Sequence, residues 1–453
     1  MTAVAYGRPR STTRAPALWR VYRVEMVKLL AQWRTRLALL ACLLAPVAFA
    51  LIVGNQQSLP TDSLFGRWLH ESGYAAPLVV LGFSGLWVLP VVVGIVAGDM
   101  FAVEDRLGTW RMLLVGARSV RLVFAAKASA AASYAVAVVI TLGVSSTAAG
   151  VLVGGSRPLV GLSGQLVSSP VAVRLIAISW ISALAPALAF AAFGLLFSVA
   201  FRYSPAAVAA PILLALVLQL VALAPLPAVV RVLLPTTPFT TWRGLFAVPG
   251  FHAPLVWGLA VSGGWAVVGT AGAYLLLTRR EFSTGGRFRA AAGQVGILGG
   301  AFGLVAVALV AVAVLTGGPA ASGITQPKLE ATLATTFAHL YRLQQRQLGH
   351  PDTSLATIAA TASCEKGGPA TANVGPGTGW RCVVSWHVAG AQTPAQALYQ
   401  LEVAADGRYV ADGDGPRTVN GYTTVTTPRG TRVNPLWQFD SVVDLGSPAD
   451  PKS

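Results

Sequence analysis

Long runs of apolar sequence constrain this chain more than any other feature. A helix needs about 17–25 predominantly apolar residues to cross the hydrocarbon of a bilayer. Seven stretches reach that length, at residues 37–53, 77–98, 123–144, 175–200, 206–226, 254–277 and 295–315. Each is expected to be helical, because backbone facing lipid must satisfy its hydrogen bonds within its own segment. Interior prolines (Pro46, Pro90, Pro186, Pro211) are expected only to kink these helices. With 54% of its 453 residues hydrophobic and 11% charged, the chain lies outside the range of soluble enzymes.

Sidedness follows from the basic residues, since Lys and Arg beside short loops resist translocation. The N-terminal segment and alternate loops carry 18 of them, including Arg20, Arg23, Lys28, Arg34, Arg106, Arg111, Arg118, Arg121, Lys127, Arg202 and Arg280, whereas the opposite loops carry only Arg67, Arg157, Arg174, Arg231 and Arg243. The richer side is expected to be cytoplasmic. The net charge of +16 therefore reports topology rather than nucleic-acid binding, which needs a clustered basic face. The first apolar run is followed by Ala48-Phe49-Ala50, which imitates a signal-peptide cleavage site. The run continues through Val53, so an uncleaved anchor is expected, with Cys42 as a packing residue. Seven crossings put the tail outside the cell, where thiols oxidise, and its two cysteines, Cys364 and Cys382, are expected to form a disulfide.

Residues 16–34 read as an amphipathic helix with Leu18, Tyr22, Met26, Leu29, Leu30 and Trp33 on one face, lying flat on the inner leaflet lipid. The loop after the second run mixes charges densely. As a short helix interrupted near Gly108, it is expected to turn Trp110, Leu113 and Leu114 toward the membrane or a partner, with Glu104, Arg106 and Arg111 near water. Lys127, about one turn into the third run, is expected to snorkel to the headgroups.

The order Glu104, Gly108-Thr109, Trp110-Arg111, Leu113-Leu114, Ala117, Arg118-Ser119, Arg121 and Lys127 resembles permease subunits of type-two ABC exporters. That resemblance covers roughly residues 16–285. It implies that residues 100–121 form a coupling helix docking on a separate ABC ATPase subunit, with Glu104, Arg106, Gly108, Thr109, Trp110, Arg111, Arg118 and Arg121 as coupling residues. It also implies an elbow helix before the first span, short re-entrant helices within residues 224–254, and pairing with a second permease chain as homo- or heterodimer. The chain departs from the family at Trp110, where Leu is commoner, and in its seventh span and exported tail.

Absences fit this division of labour. No Gly-x-x-x-x-Gly-Lys-Ser/Thr loop occurs, and Gly375-Pro376-Gly377-Thr378-Gly379 lacks the lysine. ATP is thus expected to be bound by the partner, with no cofactor, metal or catalytic residue in this chain. The five histidines are scattered, and Tyr74 stands where His70-Glu71 would need a second metal ligand. Carboxylates are missing from mid-span positions, which argues against an ion-coupled carrier. The translocation surface is then apolar, aromatic and small-residue in character, suiting a hydrophobic or amphipathic cargo moved out of the cell. The alternative is a polytopic anchor or sensor that displays the tail and transports nothing.

In the tail, Leu329, Leu333, Phe337, Leu340 and Leu343 mark the apolar face of a helix over 327–348. Trp380, Cys382, Val384 and Trp386 share one face of a strand, and Asp406-Gly407 suits a type I′ hairpin turn. The expected architecture is an α-helical polytopic membrane protein. A cytoplasmic segment (1–35) precedes a six-span permease core (36–289) and a seventh span (290–317), and a small extracytoplasmic α+β domain (318–453) follows.

Overall fold

Six helical passes of the length and apolarity that a bilayer demands are present, at Trp33–Asn55, Gly73–Leu107, Val120–Gly154, Ser169–Phe201, Ser204–Ala222 and Ala253–Thr278. The structure is a computed structural model describing residues 17–56, 63–117, 119–223, 227–280, 322–367, 372–388, 392–416, 420–428 and 430–445. The passes coincide with the first six apolar runs; the seventh expected span, 295–315, lies outside the described residues.

The passes are not uniform rods. Helix α1 (Ala17–Ala31) is separated from α2 (Trp33–Asn55) by an extended Gln32. The second pass comprises α3 (Ala76–Phe83), a π-helical turn at Ser84–Val88 and α4 (Leu89–Leu107). The loop helix α5 (Trp110–Ala117) leads to α6 (Val120–Gly154). The fourth pass is split at Ala183 into α7 (Ser169–Ser182) and α8 (Leu184–Phe201), followed by α9 (Ser204–Leu223). Short helices α10 (Ala228–Val232) and α11 (Pro238–Thr241), with a 3-10 turn at Trp242–Phe246, occupy the next connection before α12 (Ala253–Thr278). Phe239, Trp242 and Phe246 there are fully buried, so this stretch folds back into the protein.

A proline inside a helix cannot supply its own N–H and pushes away the carbonyl four residues earlier. In lipid that carbonyl needs a donor from elsewhere. Pro46 frees the Cys42 carbonyl, to which Ser145 Oγ of α6 donates at 3.2 Å. Pro90 frees that of Leu86, to which Gln219 Nε2 of α9 donates at 2.7 Å. These kinks thereby fix which helices are neighbours. Small residues set the closest approaches. A Cβ on Gly98 would strike the Ala207 carbonyl, and one on Gly150 the backbone of Gly73. The Gly150-x-x-x-Gly154 spacing thus seats α6 on the start of the second pass.

The C-terminal region packs helix α13 (Gln326–Leu348) on a five-stranded antiparallel sheet of order β3-β4-β5-β6-β9. Its strands are Thr361–Lys366, Gly377–Trp386, Ala395–Val403, Arg408–Gly413 and Gln438–Val442, and a separate hairpin joins β7 (Thr424–Thr427) to β8 (Gly430–Val433). Two-residue strands β1 (Leu159–Val160) and β2 (Leu166–Val167) lie between the third and fourth passes. Trp380, Cys382, Val384 and Trp386 face inward as the alternation requires. The Asp406-Gly407 turn differs from expectation. Gly407 alone of the two has positive φ, 84°, and the Gly407 N–H donates to Ala404 O while Ala404 N–H donates to Arg408 O. The connection is a three-residue loop with a left-handed glycine, because Asp406 keeps the negative φ that a type I′ turn forbids.

Cys364 and Cys382 are direct cross-strand partners, buried and disulfide-bonded across an 18-residue separation. Closing a loop of that length stabilises by about 3 kcal/mol in the chain-entropy model. Cys364→Ser/Cys382→Ser is expected to lower the unfolding temperature of the C-terminal region, measured by thermal scans with and without reductant; the double variant should no longer respond to reductant.

This region seats on one end of the helical part. Arg67 lies 3.7 Å from Asp440, both buried. Arg432 reaches both Glu71 oxygens at 2.9 and 2.8 Å, Arg243 pairs with Asp406, and Leu340 and Thr336 abut Gly164. Phe65–Glu71, Gly164 and Arg243 belong to the three loops with few basic residues, so the topology brings those loops to one face. Burial pushes the Asp406 carboxyl up, but the Arg243 charge, the Arg408 backbone N–H and the Arg408 charge together hold it below the usual carboxylate range. A depressed carboxylate contributes stability above its unfolded pKa of about 3.9 and loses it as pH falls through the lower folded value. Hydrogen exchange at Trp242–Phe246, corrected for intrinsic rates, should therefore stay constant from neutral to mildly acidic pH and rise below about pH 4. Asp406→Asn should abolish that step.

Candidate coupling site at the end of the second pass

Helix α4 runs nine residues beyond the apolar stretch and carries Asp99, Glu104 and Asp105 in its last turns. Each carboxylate meets a different part of the chain. Asp99 accepts from Arg34 at the start of α2 and from Ser204 at the start of α9, both at 2.6 Å. Glu104 accepts from Lys127 of α6 at 2.9 Å and from Thr109, and Lys28 of α1 lies 3.4 Å away. Asp105 holds Arg280 beyond α12 in a two-pronged pair and accepts from Trp110 Nε1 at 3.0 Å. One helix end thus binds six other segments, counting α5 through Trp110.

Lys127 is the centre of this arrangement. Its ammonium spends its three donors on Glu25 Oε2 at 2.8 Å, Glu104 Oε1 at 2.9 Å and Met100 O at 3.0 Å. It is 2% exposed, so the expected snorkelling to headgroups does not occur: two carboxylates from separate helices give the ammonium nearer partners than lipid. Lys28 adds a second cation beside Glu25 at 3.2 Å, balancing two carboxylates with two ammoniums. Burial works to lower the Lys28 pKa, and Glu25 and Glu104 outweigh it to leave that pKa raised.

The amphipathic helix turns part of its expected apolar face inward and leaves part exposed. α1 buries Glu25 and Leu29 against α6, and Tyr22 hydrogen-bonds Ser133 at 2.9 Å. Leu18, Leu30 and Trp33 remain exposed, Trp33 at 70%. Its inward side also carries Glu25, bonded to Lys127.

Gly108 ends α4 with φ of 69°, as the interruption requires. Beyond it, Trp110 is buried, stacked on Phe101 at 6.1 Å between centroids with the Arg280 guanidinium 5.3 Å from its ring. It does not face membrane or partner, because the Asp105 carboxylate and Phe101 hold it inward. Glu104 likewise is buried rather than near water. The exposed apolar surface is instead Leu107, Met112 and Val115, flanked by exposed Arg106, Arg111 and Arg121. Leu113 and Leu114 are half-buried, and Arg118 lies outside the described residues. Sequence reading missed Glu25, Asp99, Asp105, Lys28, Arg34 and Arg280 as site residues. The available signal was Lys127 itself, since an ionisable residue inside an apolar run by default has a charged partner.

From Trp110 the aromatic contacts continue inward: Phe101 to Phe124 at 5.8 Å and Phe124 to Tyr274 at 5.3 Å. Phe124 and Tyr274 line a cavity of about 520 Å³ among α6, α8 and α12, whose other walls are mainly alanine and aliphatic side chains. A second cavity, of about 980 Å³, separates α1 from α5 and holds Arg20, Glu25, Lys28 and Glu104 at its edge.

No curated protein matches the chain. Residues 22–222, which run from within α1 to the last turn of α9 and carry the loop helix and the ion-pair cluster except Arg280, match the ABC-2 family transporter protein. Across residues 22–222, somewhat less than half of its length, the chain is similar to the membrane proteins of the ABC-2 transporter family.

Proposed function

We propose that the chain is the permease subunit of an ATP-driven exporter, with residues 100–121 receiving force from a separate ATPase and passing it to the helices. The observation that carries this reading is the convergence of α1, α2, α6, α9 and Arg280 on three carboxylates of α4. A displacement imposed on α5 acts on a body already tied to most of the membrane part, which a loose loop would not provide. The partner-facing surface is the exposed Leu107, Met112 and Val115 with Arg106, Arg111 and Arg121 around them. This combination of apolar centre and cationic rim suits a groove with acidic edges. The fewer basic loops and the C-terminal region then face the exterior, and the alanine-lined cavity beside Tyr274 suits a hydrophobic or amphipathic cargo.

Two roles separate within the motif. Glu104, Thr109 and Trp110 hold the loop helix in place, whereas Arg106 and Arg111 face outward. Arg111→Glu is therefore expected to leave thermal stability unchanged while lowering permease-stimulated ATPase turnover by about fivefold or more, the scale of ordinary inter-site coupling. Co-purification with an ATPase, followed by turnover in lipid discs, measures both. Recovery of no ATPase at all would sink the transport reading in favour of a displayed anchor.

A further inference from the structure

A cleft of about 430 Å³ opens in the C-terminal region between the second half of α13, the inner face of the sheet and the β7–β8 hairpin. That volume lies within the range of small-molecule sites, about 300–1,000 Å³. Its origin is legible in side-chain size. Along β5 the fully buried inward positions are Ala397, Tyr399, Leu401 and Val403, and only the first of these is small. Helix α13 continues past it with Tyr341, Gln344 and Leu348 on the lining stripe, so the methyl of Ala397 leaves a gap that larger residues close elsewhere.

The floor is preformed. The Phe337 ring lies 6.2 Å from Tyr341, 4.6 Å from Trp386 and 6.1 Å from Tyr399, and all four are buried. Among the described residues no acidic or basic side chain lines the cleft; the polar groups are amides and hydroxyls. A charged occupant would lose hydration without gaining a counter-charge. Gln344 Nε2 donates to Asn434 Oδ1 at 2.7 Å, which orients the Gln344 carboxamide at the wall with its oxygen available to a donor. The wall opposite the helix is a two-stranded hairpin outside the main sheet. In that hairpin Val425, which lines the cleft, is the register partner of Arg432, the residue bonded to both oxygens of Glu71 in the loop between the first two passes.

We propose that this cleft binds a small uncharged molecule with an apolar or aromatic body and a hydrogen-bond donor, and that the hairpin ties its occupancy to the loop carrying Glu71. The test uses the full chain in lipid discs and a neutral aryl-diazirine benzyl alcohol as photoprobe, with label located by peptide mass spectrometry. Saturable labelling is expected within 337–348 and 420–428, lost in Ala397→Leu, which fills the gap, and in Thr426→Trp, which blocks the mouth from an exposed strand position. The corresponding aryl-diazirine benzoate should not label. Should Ala397→Leu fail to fold, Thr426→Trp decides alone. Label confined to the passes, label indifferent to Thr426→Trp, or equal labelling by the benzoate overturns the site. Arg432→Gln should keep the label but remove the probe-dependent change in hydrogen exchange at 63–75; a change that persists overturns the tie. Binding is read without an ATPase, so a failed transport reading leaves this result standing.

Discussion

Lys127→Met is expected to destabilise the protein by about 3–5 kcal/mol, the usual cost of removing one partner from a buried ion pair. Glu25 and Glu104 would remain, each about 95% enclosed, with only the half-exposed Lys28 near both. Two carboxylates so close cannot both stay ionised cheaply. The substitution itself keeps the length and apolarity of the lysine stem, so lost packing contributes little. Unfolding of the purified protein in lipid discs, followed by thermal or denaturant titration, measures the loss. The decisive comparison is Lys127→Met with Glu25→Gln, which leaves Glu104 paired with Lys28 and should recover most of the stability. If the single variant is as stable as the parent, the ammonium is held by something other than these carboxylates, and the rigid-body reading of the loop helix loses its basis.

The second large effect is expected at the other end of the molecule. Asp440→Asn removes the carboxylate facing Arg67, both residues being nearly inaccessible. Burial holds the Arg67 pKa below its ordinary value, against the pull of Asp440 and Asp412, and Asp440 also accepts from the Phe65 backbone N–H at 3.3 Å. Leaving a guanidinium buried without its partner costs about 3–5 kcal/mol, and here the loss falls on the contact between the first loop and β9. Hydrogen exchange should rise at residues 63–75 and 438–443 together, while α4 and α6 stay protected. Arg67→Leu/Asp440→Leu should restore protection, since an apolar pair of similar volume serves a buried position as well. Exchange rising over the whole chain, or nowhere, would mean that this pair does not fasten the two parts.

Much of the fold was open to reading because hydrocarbon permits few answers. The six described passes fall where runs of apolar residues fall, and the break at Gly108 and the helix of the C-terminal region follow from local rules. The site was legible only in outline. The Glu104 to Lys127 segment was marked by its residues, yet the directions of Glu104, Trp110 and Lys127 came out reversed. A rule of thumb sends charges to water and aromatics to the interface; here each charge had a partner, and each partner was remote. Glu25 and Lys127 are 102 residues apart, and Asp105 and Arg280 are 175 apart.

By itself, then, the sequence determined that the chain crosses a membrane many times, that basic residues mark one set of loops, and that a cysteine-bearing α+β region follows. These depend on composition and periodicity within short windows, where hydration and backbone hydrogen bonding act residue by residue. Only the tertiary structure decided which helix ends share a charge, which carbonyl freed by a proline meets Ser145 or Gln219, and which loops receive the C-terminal region. Such pairings depend on distances between segments far apart in the chain, and a charge in a low-dielectric interior is stabilised only by the neighbour that folding brings to it.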